Sequence, residues 1–172
     1  PFAITMAYLF KIIGMGKKPN KILNYLTFNS YNKGYKLENE WLSKNPNNIS
    51  IYNDDELCGF IFTTNGFINL YKLLKRAFNA KLYKVQNRNL EIFLIAGDND
   101  PVIQNTKKFK QLEQFLNKLG YKNTKSKLYS DLRHEILNEE EYEQIYKDIL
   151  DFFINSKENK WKKNQKNLLL KI

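Results

Sequence analysis

Two side chains in this sequence are placed to do chemistry together. His134 is the only histidine. It follows an alternating segment, Thr124–Tyr129, that reads as a strand, and Asp100 follows an apolar run, Ile92–Ala96, that reads as another. Neighbouring parallel strands lie about 4.8 Å apart, so loops at their ends can bring a carboxylate to an imidazole. A carboxylate that accepts Nδ1–H fixes the ring tautomer and stabilises the imidazolium formed during acyl transfer. Asp98 lies in the same loop as Asp100. A lone histidine after a strand is more often a surface or structural residue, so geometry has to decide between that role and catalysis.

The elements that must position this pair form a βαβ unit. Ile92–Ala96 (I-F-L-I-A) is uninterrupted and apolar, the pattern of a parallel strand buried on both faces. The loop Gly97–Pro101 follows. An amphipathic helix then runs to about Leu119, with Phe109, Leu112, Leu116 and Leu119 on one face and Gly120 at its end. Strand, helix and strand at this spacing predict a right-handed parallel crossover. In open parallel sheets functional residues gather at the C-terminal strand ends, which points to Gly97–Pro101 and Ser130–His134. A closing helix is expected over Glu140–Ile154, with Tyr142, Ile145, Ile149, Phe152 and Phe153 on its apolar side.

From Pro1 to about Arg76 the chain reads as helices and loops without a strand. An apolar helix is expected over Phe2–Ile13, stopped by Gly14 and Gly16, and a short one over Lys21–Leu26. Phe28–Lys36 reads as a loop. Short helices are expected over Asn39–Ser43, capped by Asn39, and over Asn47–Tyr52. Gly66–Phe78 is a stronger helix, with Phe67, Leu70, Leu74 and Phe78 on one face.

A nucleophile is harder to place. No G-x-S-x-G occurs, and none of Ser30, Ser43, Ser50, Ser126, Ser130 or Ser156 sits on a strand–turn–helix elbow. Cys58 is the only cysteine. It does not follow a strand and has no activating context, so it reads as a small buried hydrophobe rather than a nucleophile. One histidine and one cysteine without ligand spacing predict no metal site, and nothing in the sequence calls for a cofactor. Phe28, Tyr31, Tyr35, Phe60, Phe62 and Phe67 suit an acyl-chain pocket and ordinary packing equally well.

The 172 residues carry a formal net charge of +10 and are 42% hydrophobic, enough for a core. The lysines are spread along the chain and no nucleic-acid-reading motif accompanies them, so nucleic-acid binding is not expected. The densest basic cluster is Lys157, Lys160, Lys162, Lys163, Lys166 and Lys171, interleaved with Trp161 and Leu168–Leu170. It suits a solvated, frayed tail, with peripheral contact to an anionic membrane as the sharper alternative. A single cysteine excludes an internal disulfide and fits a reducing, cytoplasmic setting. The apolar run Phe2–Phe10 is too short to span a bilayer and a poor signal peptide. Because the chain opens on Pro1 directly into that run, more sequence is expected upstream.

Several short motifs, in order, resemble one family. Gly97-Asp98-Asn99-Asp100-Pro101-Val102 resembles the G-x-x-D-P-V acid loop of the α/β-hydrolases of the lysophospholipase and monoacylglycerol-lipase (serine aminopeptidase-like) family. Lys127-Leu128-Tyr129 followed by Arg133-His134-Glu135-Ile136-Leu137-Asn138-Glu139 resembles its histidine loop. Glu40-Trp41-Leu42-Ser43, and Asp55-Glu56-Leu57-Cys58-Gly59-Phe60 with Phe62-Thr63, resemble stretches of its cap. The order acid, then histidine, is that of the fold.

The resemblance implies the C-terminal part of an α/β-hydrolase: a helical lid and return helix over 1–80, the last parallel strands and helices of the core over 81–155, and a basic tail over 156–172. It implies Asp100, three residues after Gly97, as triad acid, and His134 as base. The serine elbow and oxyanion loop precede the lid in this fold and would lie upstream of Pro1. Ser130-Asp131-Leu132 stands where the family usually has glycine, and side chains restrict φ > 0 there. Asp131 reads as a turn residue. The implied activity is hydrolysis of carboxylic esters, lysophospholipids or monoacylglycerols, by a Ser-His-Asp triad to which this chain gives acid and histidine but no serine. An N-terminal complementing chain is one source of the serine. The alternative is a non-catalytic truncated or split-gene remnant acting as an interaction module.

Overall fold

The computed structural model describes residues 2–169, with side chains through Lys157. It divides into two compact units, Pro1–Leu42 with Pro46–Gln86, and Ser43–Asn45 with Asn87–Ile172.

The first unit is helical. α1 (Phe2–Phe10) passes into a π-turn, Lys11–Met15, where Gly14 takes φ +85° and ends the run. α2 (Lys21–Phe28) starts at Asn20, whose side-chain oxygen accepts the Leu23 N–H at 3.0 Å while its amide donates to the Thr64 hydroxyl at 3.1 Å. A buried cap satisfied at both ends ties two helix starts together. α3 spans Pro46–Asp54, and α4 spans Thr64–Ala77, capped by the Thr63 hydroxyl on the Gly66 N–H. Ala7, Leu23, Phe67 and Ile68 form the core, with Phe10, Phe28, Phe62 and Tyr71 against it.

Two expectations fail here. Asn39–Ser43 is a turn, not a helix. Asn39 takes φ +61°, its N–H donates to the Asn32 side chain, and its own amide donates to Asn53 at 2.7 Å. A short amide side chain tolerates the left-handed region and competes with helix hydrogen bonds, so it favours a turn. On α4, Phe67 and Leu70 pack inward, but Leu74 and Phe78 are 48% and 62% exposed. The periodic face is continuous; its cover ends near Tyr71 among the described residues.

The second unit is the predicted βαβ. β1 (Glu91–Gly97) runs parallel to β2 (Asn123–Tyr129), in register from Glu91↔Asn123 to Gly97↔Tyr129. The crossover is α5 (Thr106–Leu119), capped by Asn105 on the Lys108 N–H and ended by Gly120 at φ +109°. α6 (Tyr142–Leu169) continues well past the expected end at Ile154. Tyr129, Leu132, Ile136 and Ile145 form the core, with Ile95 and Ile149 against it, and Phe93 stacks on Phe152 at 5.2 Å. Phe153, expected inside, is 57% exposed. At about 100° per residue Phe152 lies within about 20° of Ile145 around the helix, and Phe153 about 80° away.

This assigns the working face of α6. Ile145→Ala is expected to cost about 2–5 kcal/mol of unfolding free energy in urea titrations. Phe153→Ala is expected to change it by about 0.5 kcal/mol or less. Equal losses would mean that the face is wrongly assigned.

Candidate active site

The site grows from the register of the two strands. β1 ends at Gly97 opposite Tyr129, the end of β2, so the two following loops start side by side. They are then joined by main-chain hydrogen bonds, Asp98 N–H to Tyr129 O and Asn99 N–H to Leu132 O, both 3.0 Å. A Cβ on Gly97 would lie 2.1 Å from the Leu132 carbonyl oxygen and 2.5 Å from that of Arg133. Only glycine permits this approach.

The acid loop presents its carboxylate by a local turn. Asp100 caps the single 3-10 turn Pro101–Ile103, one oxygen accepting the Val102 N–H at 2.8 Å. Pro101 suits the first position of such a turn because its missing N–H costs nothing there. The other oxygen meets His134 Nδ1 at 2.9 Å. Asp100 is 6% exposed, while the His134 side chain keeps 40% of its surface. With the carboxylate opposite it, Nδ1 carries a proton and donates, so Nε2 is the basic nitrogen of this tautomer.

The hydrogen bond to Asp100 raises the His134 pKa above its ordinary value, with charge attraction from Asp100 and Glu135 adding and burial opposing. A raised folded-state pKa stabilises the fold fully below about pH 6.5. That contribution is lost as pH rises through the folded value.

Asp98 is not at the imidazole. Its carboxylate accepts the Asp131 N–H at 2.8 Å and so braces the histidine loop. Asp131 takes φ +60°, the left-handed region that favours glycine and that aspartate tolerates better than most side chains. Glu139, at the end of the histidine-loop motif, is 1% exposed and accepts from the Ser43 hydroxyl at 2.9 Å and the Lys44 N–H at 3.0 Å. No sequence signal joins groups so far apart along the chain. Ser43–Asn45 belong to the second unit although the residues flanking them belong to the first.

Cys58 is half-buried in the first unit. It helps line a cleft of about 620 Å³ with Phe28, Trp41, Tyr52, Phe60 and Phe62. Of the aromatic set, Phe28 and Phe62 thus serve cleft and packing together, Phe60 lines the cleft but is largely exposed, Phe67 is core, and Tyr31 packs on Trp41 at 5.1 Å. Tyr35 is half-buried elsewhere in the unit. Among the described residues no group of His, Cys, Asp and Glu could hold a metal ion, and no helix is long and apolar enough to cross a membrane. Lys157 is exposed; Lys160, Trp161, Lys162, Lys163, Lys166, Leu168–Leu170 and Lys171 lie outside the described side chains.

A family model described as serine aminopeptidase, S33, matches residues 4–141. Among solved structures, a thermostable carboxyl esterase from Bacillus coagulans in complex with glycerol is similar at 22% identity and a TM-score of 0.70, over 91% of this chain and 53% of that one. A lipase in its open form matches at 21% and 0.72, over 90% and 50%. A monoacylglycerol lipase from Paleococcus ferrophilus matches at 18% and 0.59, over 90% and 52%. At these identities the likeness is one of fold, the α/β-hydrolase fold. The chain spans about half the length of the structures it matches. No curated protein matches it.

As His134 is the sole histidine, its imidazole is a single NMR signal. Its titration midpoint is expected above about 6.5 and should fall in Asp100→Asn. Gly97→Ala should lower it as well, because the added methyl drives the Leu132–Arg133 backbone off β1. A midpoint unmoved by Asp100→Asn would mean that the contact does not persist in solution.

Proposed function

Since the chain belongs to the serine aminopeptidase, S33, family, we propose that it supplies the acid, Asp100, and the base, His134, of a Ser-His-Asp carboxylic ester hydrolase. The 2.9 Å contact between His134 Nδ1 and Asp100 at the ends of adjacent parallel strands carries this reading. The serine comes from a G-x-S-x-G elbow outside these 172 residues, either upstream on the same polypeptide or on a complementing chain.

In this reading His134 Nε2 takes the serine hydroxyl proton as the oxygen attacks the ester carbonyl. The imidazolium is held by Asp100 and then gives the proton to the leaving alcohol; a water repeats the cycle to release the acid. Asp100 does not accept the proton; it keeps the ring oriented and its charge matched. Oxyanion donors belong with the elbow. The substrate is a small ester or lipid, a lysophospholipid or monoacylglycerol among them. The apolar lining of the first unit's cleft suits an acyl chain. No acidic residue precedes Glu38, and Leu9, Ile12 and Ile13 are exposed beside Lys11, which suits peripheral contact with an anionic lipid surface.

The test joins this chain, fused or mixed, to the N-terminal half of a family α/β-hydrolase carrying the elbow, and follows p-nitrophenyl butyrate. His134→Ala is expected to abolish turnover, and Asp100→Asn to lower kcat by about 10⁴, the scale for a triad acid. Asp98→Asn keeps an acceptor for the Asp131 N–H, and Cys58→Ala leaves the triad alone, so both should keep most activity. Near-normal turnover by His134→Ala would refute the reading. A folded but inactive assembly would favour the interaction module. Turnover by the 172 residues alone, lost in His134→Ala, would place a nucleophile within this chain.

A further inference from the structure

Glu139 is a buried titratable group that the proton transfers above do not use. A carboxylate at 1% exposure is costly unless its lone pairs are filled. Here the Ser43 hydroxyl donates at 2.9 Å, the Lys44 N–H at 3.0 and 3.1 Å to its two oxygens, and the Arg133 N–H at 3.4 Å. Arg133 also reaches back through Nη1 to the Ser43 carbonyl at 2.8 Å, and the Ser43 hydroxyl accepts the Asn45 N–H at 3.1 Å. Ser43 itself is 1% exposed.

We propose that Glu139 is a positioning residue that sets His134 opposite Asp100, holding the Arg133 peptide and the Ser43–Lys44 backbone on one buried carboxylate. The inference rests on His134 being the base. The peptides that lead into His134 are gripped from two sides. On one side the Leu132 carbonyl accepts the Asn99 N–H and lies against Gly97 of β1. On the other, Glu139 takes the Arg133 N–H. Glu139 is itself anchored: its carbonyl accepts the Tyr142 N–H where α6 begins, and Ile136 and Ile145 on either side of it are core. His134 therefore follows a dipeptide clamped between the acid loop and Glu139, and satisfied buried networks of this kind orient functional groups. Because the same carboxylate holds Ser43 and Lys44, a shift of that segment is felt at the histidine. Asp100 and Glu135 are the acidic groups that act on the imidazole; Lys44, beside Glu139, pairs outward with Glu141 at 2.5 Å.

The test reads the His134 NMR titration in the full chain, alone or joined to the elbow-bearing half, in whichever form melts cooperatively. Glu139→Gln removes a charge as well as an acceptor, so the decisive variant is neutral: Ser43→Ala deletes one donor to Glu139 and leaves the charges unchanged. Ser43→Ala is expected to move the midpoint down toward the ordinary value of about 6.5, and Glu139→Gln further. Glu139→Asp should recover part of the shift. In the joined enzyme Ser43→Ala should lower kcat several-fold at unchanged KM. A midpoint unmoved in a folded Ser43→Ala chain overturns the proposal. So does loss of the cooperative melt in Ser43→Ala, which would make the cluster a general support of the fold. Failure of the catalytic reading shows separately, as turnover surviving His134→Ala while the midpoint still responds to Ser43→Ala.

Discussion

The second unit depends on one close approach: the carbonyls of Leu132 and Arg133 lie where a side chain at Gly97 would be. Parallel strands in register bring their ends to the same level, but a pair of loops beginning about 4.8 Å apart need not touch. The missing Cβ lets the histidine loop close onto the last residue of β1, and the Asp98 and Asn99 amides then reach the main chain of the other loop. Asp100 and His134 inherit their separation from this backbone contact. Their hydrogen bond completes an arrangement that the main chain has already made.

Polar groups hold the outer parts of the unit in a consistent way. Lys127 and Tyr129 of β2 both engage Asp148 of α6, the tyrosine hydroxyl at 2.8 Å. Those two partners draw the Asp148 pKa down, and burial with the carboxylate beside it pushes the Tyr129 pKa up. The strand that leads into the histidine loop is thus fastened to α6 both by these polar contacts and by the packing of Tyr129 in one cluster with Ile145 and Ile149. Asp98 and Glu139 perform comparable tasks on the loop itself. Three carboxylates therefore serve the histidine strand and its loop as braces, and a fourth, Asp100, faces the ring.

The proposed function asks this chain for only part of a catalytic apparatus. In that proposal acid and base come from successive strand ends of one βαβ unit, whereas the nucleophile and oxyanion donors of this fold come from other strands. The chain matches about half of each related structure. β1 has one partner strand among the described residues. The apolar pattern of Ile92–Ala96 is that of a strand with neighbours on both edges and cover on both faces.

The sequence by itself determined the βαβ unit, because the uninterrupted run Ile92–Ala96, the periodic Phe109–Leu119 and the terminal Gly120 are local signals that tertiary contacts reinforce. It also brought Asp100 and His134 to the ends of those strands, and the family motifs selected Asp100 over Asp98. It did not decide Asn39–Ser43, where side-chain hydrogen bonds to Asn32 and Asn53 outweigh a weak helical pattern. Nor did periodicity tell which of Phe152 and Phe153 would be buried, because the two differ only by their angle to a neighbour that the pattern does not name. Glu139 was legible as part of a motif but not as a hub. Its partners, Ser43 and Lys44, lie far away along the chain, and a hydrogen bond between distant segments leaves no periodic trace; only the folded backbone brings them together.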